Sequence, residues 1–144
     1  MPKKWRVFLD TSAILAGLNS PSGAAGMILQ ACFSGELNPV ISPQIIEEAE
    51  DVIPLKFPGL ASSFVSFLLL PPEITLEPNL SAVRDACKLL PTSDASILAS
   101  ALEAWPDVLV TWNTRDFLRP EVVRAVPFPI FRPGEFLHFL RQQK

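Results

Sequence analysis

The sequence predicts an α/β protein, a three-layer α/β/α sandwich with a central parallel sheet. Two observations carry this. Short runs rich in β-branched and aromatic residues, among them Trp5-Arg6-Val7-Phe8-Leu9 and Val108-Leu109-Val110-Thr111, alternate with stretches of ten or so residues that repeat with helical spacing. Continuous apolar strands joined through helices are those of a parallel sheet covered on both faces, where ligands meet the C-terminal ends of the strands.

In chain order, the first strand stops at Asp10, a polar residue at its C-terminal edge. Helices are expected over Thr11 to Leu18 and Ala24 to Phe33, separated by the turn cluster Asn19-Ser20-Pro21-Ser22-Gly23 and closed by Ser34-Gly35. Val40-Ile41 is the centre of a second strand. Ser42-Pro43 then offers an N-cap and a first-turn proline to a helix bearing Ile45, Ile46, Ala49, Val52 and Ile53 on one face. Leu60 to Leu70 reads as a buried helix, Ile74-Thr75-Leu76 as a third strand and Leu80 to Leu90 as a helix ended by Pro91. Thr92-Ser93 caps a helix with Ile97, Leu98, Ala101, Leu102 and Trp105 on one stripe, and Pro106 stops it before the strand Val108 to Thr111. Phe128 to Phe131 is the last strand, and a C-terminal helix carries Phe136, His138, Phe139 and Leu140. Nearly all of the fifteen prolines fall between elements or at their ends.

With 144 residues, 49% of them hydrophobic, the chain suits a single domain over residues 1–144. Leu60 to Leu70 contains three serines and lies between prolines, too short a stretch to span a bilayer, so no membrane association is expected. The basic start Met1-Pro2-Lys3-Lys4-Trp5-Arg6 imitates the head of a signal peptide, but Asp10 splits the apolar run behind it. Cys32 and Cys87 lack the spacing of a zinc site or disulfide frame and read as buried free thiols of a reducing cytoplasm. A net charge of −3 and a pI near 5.1 do not announce a nucleic-acid binder. Acidic side chains gathered around cations would nevertheless carry less negative charge than the sequence suggests.

Four acids stand out. Asp94 falls near the centre of the apolar stripe of its helix, so either it points at the sheet or it serves as a first-turn residue favoured by the helix dipole. Glu48 lies at the border of the buried face of its helix and can reach inward, whereas Glu47 is on the solvated side and Glu50 on the other border. Asp10 ends a strand and is also placed to cap the next helix. After Thr111 comes Trp112-Asn113-Thr114-Arg115-Asp116, a polar turn at another strand end. A parallel sheet brings its strand C-termini to one edge, where these acids would form a cluster suited to one or two hard cations such as Mg²⁺ or Mn²⁺.

Phe-Leu-Asp10-Thr-Ser12-Ala-Ile-Leu, Ser42-Pro-Gln-Ile-Ile-Glu-Glu48, Asp94-Ala-Ser-Ile-Leu-Ala and Leu-Val-Thr111-Trp-Asn113-Thr-Arg-Asp116-Phe, in this order, resemble the PIN-domain family, whose standalone members include VapC-like toxin ribonucleases. The resemblance implies cleavage of single-stranded or structured RNA with Mg²⁺ or Mn²⁺, often by a homodimer, and for many small relatives the role of toxin beside an antitoxin protein. Carried over by motif, the acids are Asp10, Glu48, Asp94 and Asp116, with Ser12 and Asn113 assisting and Thr111 leading into the final turn. In some relatives the position of Asn113 takes the part of the last acid. Asp10 and Asp94 are the expected direct ligands, Asp116 a direct or water-mediated one, and Glu48 a ligand or the group that orients water. Arg115, Arg119, Arg124 and Arg132 supply positive charge for RNA near the last motif.

Two other readings compete. One is a PIN fold that binds RNA or protein without cleaving. The other is a haloacid-dehalogenase-like phosphatase with Asp10 as nucleophile, which needs an aspartate where Ser12 stands. His138 has no second histidine and no Ser-His or Cys-His arrangement around it, which disfavours histidine-based hydrolysis.

Overall fold

Strand β1 (Arg6–Leu9) is the centre of the sheet because Val7, Phe8 and Leu9 are all apolar and all buried, with helices over both faces. The computed structural model describes residues 3–143; Met1 and Pro2 of the basic start lie outside them. The chain continues through α1 (Thr11–Asn19) and α2 (Ala24–Phe33) to β2 (Asn38–Ile41), then through α3 (Pro43–Lys56), a 3-10 turn (Pro58–Leu60) and α4 (Ala61–Leu69) to β3 (Glu73–Ile74). It then runs through α5 (Leu80–Leu89) and α6 (Ala95–Ala104) to β4 (Val108–Val110), and through α7 (Thr114–Phe117) and α8 (Pro120–Ala125) to β5 (Ile130–Phe131) and α9 (Pro133–Gln142).

Among the described residues the strands form one sheet of order β3-β2-β1-β4-β5, with every pairing parallel. From β1 the chain winds outward one way to β2 and β3, then returns across the sheet to β4 and β5. Right-handed crossovers therefore put α1 to α4 on one face and α5 to α8 on the other. The packing agrees: α1 lies against α2 and α3, α2 against α9, and α5 against α6 and α8. The result is the expected α/β/α sandwich. Its switch point, where the winding direction reverses, lies between β1 and β4, whose register pairs Leu9 with Val110.

Several elements differ in detail from expectation. The helix expected from Thr92 begins only at Ala95, because Thr92 Oγ1 accepts the Asp94 amide (3.2 Å) in a turn ahead of it. Trp105 leaves the apolar stripe: it takes the left-handed C-cap position of α6 (φ 50°) and is 65% exposed. The stretch Leu60 to Leu70 buries only Phe64 and Phe67, leaving Val65 and Leu69 in solvent, so it is a one-sided cover and not a buried helix. Cys32 is buried but Cys87 is exposed, since only Ala86 of α5 is fully covered. Pro39 sits inside β2, tolerated because β3 pairs only from Val40 onward.

Candidate active site

The crevice is built on the two central strands. The chain leaves β1 at Asp10, whose extended backbone and Oδ1 cap α1 by accepting the Ala13 amide (3.0 Å). The Ser12 hydroxyl donates to the same oxygen (2.7 Å), and the Thr111 hydroxyl, just past β4, donates to Oδ2 (2.6 Å). Capping and a place at the strand edge are thus both true of Asp10. Thr111 Oγ1 in turn accepts the Asn113 amide (2.8 Å), and Ser12 Oγ accepts the Trp112 amide (3.0 Å), which stitches the two strand ends together.

Asn113 is the second hub. Its Nδ2 donates to Asp94 Oδ2 (2.8 Å) and to Asp116 Oδ2 (3.1 Å), holding the two carboxylates on either side of one nitrogen. Asp94 occupies the N-cap of α6 but makes no capping bond, its side chain being turned toward Asn113. Asp116 reaches Asn113 from the first turn of α7. On α3, Glu48 is half-buried while Glu47 and Glu50 are exposed, which resolves the border positions in favour of Glu48.

Charge ties these groups into one unit. Burial raises Asp10 to about 6 against three hydrogen bonds that favour its carboxylate, and the nearby Asp94 raises it further. Burial likewise raises Asp94 to about 6, aided by Glu48 and Asp116 and opposed by Asn113. Burial raises Glu48, the Thr11 hydroxyl works against this, and Asp10 adds to it. Asp10, Glu48 and Asp94 therefore all disfavour one another's charge, with Asp116 acting on Asp94.

The donor set fits a hard divalent cation: the acids supply oxygen ligands, mutual repulsion would be relieved by positive charge, and Thr11 Oγ1 is buried without a partner in hydrogen-bond geometry beside Glu48. Among the described residues no three acidic, histidine or cysteine side chains stand close enough to enclose an ion by themselves. Mg²⁺ is commonly held by one or two carboxylates with the rest water, so a complete cage is not required.

Sequence reasoning named the residues of this crevice but not the double role of Asn113, since spacing alone does not reveal that one amide reaches two acids. Arg115 and Arg124 are exposed, whereas Arg119 pairs with Glu121 (3.1 Å) and Arg132 with Glu135 (3.5 Å), so part of the arginine charge is already engaged. His138 lies on the surface beside Gln142, away from the acids.

A doubly wound parallel sheet with acids at its switch point defines an α/β protein whose polar site lies at the C-terminal ends of its strands. The chain belongs to the PIN-domain family, whose members are generally nucleases: the family model, described as PIN domain, matches residues 6–115 and so takes in Asp10, Glu48, Asp94 and Asn113 and ends one residue short of Asp116. No curated protein matches the sequence significantly. Among solved structures the fold is similar to PAE2754 from Pyrobaculum aerophilum (18% identity, TM-score 0.63, covering 95% of this chain and 96% of that one). It is also similar to VapBC2 from Rickettsia felis bound to a DNA fragment from its promoter (17% identity, TM-score 0.61, covering 88% and 97%).

Proposed function

We propose that the protein is an endoribonuclease that hydrolyses RNA phosphodiester bonds with Mg²⁺ or Mn²⁺ and acts as the toxin of a toxin–antitoxin pair. The observation that carries this reading is the convergence of Asp10, Glu48, Asp94 and Asp116, from four separate elements, on one crevice at the switch point. Asp10 and Asp94 are the residues to hold the ion, with Asp116 direct or through water. A bound divalent ion supplies electrostatic stabilisation of the scissile phosphate and a more acidic water.

The chain's own groups divide the remaining work. Ser12 and Thr111 fix both oxygens of Asp10, so its carboxylate needs no reorganisation when substrate arrives. Asn113 fixes Asp94 and Asp116 in the same manner. Glu48 is the group to orient the attacking water and accept its proton, a task suited by its raised pKa. Arg115, exposed in α7 one residue before Asp116, is positioned to draw the RNA backbone to the rim.

The antitoxin is proposed from the likeness to VapBC2, and a homodimer from the apolar side chains that α3 and α4 leave exposed, Leu55, Val65 and Leu69. A cytoplasmic location is part of the same proposal, since it follows from the proposed RNA substrate and free thiols are compatible with it. Incubation of the protein with RNA should give cleavage with Mg²⁺ or Mn²⁺, none in excess chelator, and a loss of at least about 100-fold in Asp10→Asn. Equal cleavage in chelator would discard the mechanism.

A further inference from the structure

Beside the acidic crevice a groove of about 420 Å³ runs between α1 and the C-terminal end of α3. Its volume falls in the range of small-molecule sites, about 300–1,000 Å³. Ser12 and Trp112 line its inner end, Asn19 its flank, and Val52, Lys56 and Phe57 its outer wall. Trp112 is 49% exposed although its neighbours Thr111 and Asn113 both hold the acids. Lys56 is exposed in the last turn of α3 and has no salt bridge among the described residues.

We propose that this groove is a base-stacking subsite for single-stranded RNA, with Trp112 against the face of a base next to the scissile phosphate and Lys56 on the adjoining backbone phosphate. The inference deepens the nuclease reading and rests on it. Continuity with the acids supports it: the Trp112 amide donates to Ser12 Oγ, which donates to Asp10, so groove and crevice are two hydrogen bonds apart. The chemistry matches as well, since an exposed indole face beside one cation takes a base and its phosphate, and an open stacking surface accepts any base. Only an unpaired base can leave its helix to lie there, which makes the substrate single-stranded. Asn19 is the one amide on the wall, so base preference is expected to be slight.

The test is fluorescence anisotropy with a labelled short single-stranded oligoribonucleotide, in excess chelator so that no cleavage intervenes, together with a series in which each base in turn is removed. Wild type should lose affinity by about 5- to 150-fold at one abasic position, Trp112→Ala should lose a similar factor on intact RNA, and the two losses should not add. Trp112→Phe should restore most of the affinity and Trp112→Leu, which refills the space without a π face, should not, a difference that loss of packing alone would not give. Lys56→Gln, on an exposed side chain, should lower the salt dependence of binding by about one ion and needs no change at Trp112. Absence of wild-type binding, or equal RNA affinity in wild type and Trp112→Ala, overturns the proposal; the second result is also the one expected if a protein segment fills the groove. Cleavage with Mg²⁺ is read separately. Base-dependent binding without cleavage sinks the nuclease reading alone, and cleavage with Trp112-independent binding sinks the subsite alone.

Discussion

Asp10 is 4% exposed and accepts hydrogen bonds from Ser12, Ala13 and Thr111, yet burial still lifts it from 3.8 to about 6. The native state therefore keeps a proton that the unfolded chain releases. In metal-free protein this contribution is fully present below about pH 4 and is lost as pH rises through about 6, on the order of 3 kcal/mol in all. Denaturant unfolding in chelator at several pH values should show wild type losing stability relative to Asp10→Asn over that window; a pH-independent difference would contradict the burial argument. Thr111→Val removes a donor to Asp10 and an acceptor from Asn113 without changing shape, and should destabilise the fold by about 1–3 kcal/mol in the same unfolding assay. At this scale the sequence was informative where a side chain's position follows from a period, as for Glu48 against Glu47. It was uninformative for Asn113, because the bond to Asp94 spans two elements whose approach no local pattern encodes.

The central elements were legible because their signals are strong: β1 is apolar from Val7 to Leu9 and β4 throughout, and α3 has both a capping serine and a proline at its start. The short elements were not. The final strand shrinks to Ile130–Phe131, the third shifts to Glu73–Ile74, and α8 was not expected, since two-residue strands and six-residue helices hold by tertiary contacts and carry almost no pattern of their own. The joint between α1 and α2 shows a further case of hidden constraint. A Cβ on Gly26 would stand 2.3 Å from Pro21 O and 2.4 Å from Ser20 O, backbone atoms that cannot yield. On Gly17 it would meet Leu29 Cδ1 at 2.6 Å and Ala25 O at 2.9 Å, the first of these on a movable side chain. Gly26→Ala should therefore cost about 3 kcal/mol or more and Gly17→Ala less, an order that thermal unfolding of the two variants will check.

Across the whole molecule, the order β3-β2-β1-β4-β5 is what gathers residues from positions 10, 48, 94 and 116 at one place. The alternation of strands and helices predicted a parallel sheet, but strand order is a global property, and only the rule that ligands sit at strand ends pointed to the meeting place beforehand. Holding several acids together has a cost that the fold bears in full when no cation is present, visible in the raised values of Asp10, Asp94 and Glu48. A cation that binds only the folded state must return stability as its concentration rises, by about 2.7 kcal/mol at a hundredfold excess over its dissociation constant. The most direct measurement is thermal unfolding at neutral pH across a Mn²⁺ titration, wild type beside Asp94→Asn. The expected result is a midpoint that climbs with Mn²⁺ in wild type and stays nearly flat in the variant. A wild-type midpoint indifferent to Mn²⁺, or one that climbs equally in both proteins, would contradict the claim that these acids form a single cation site.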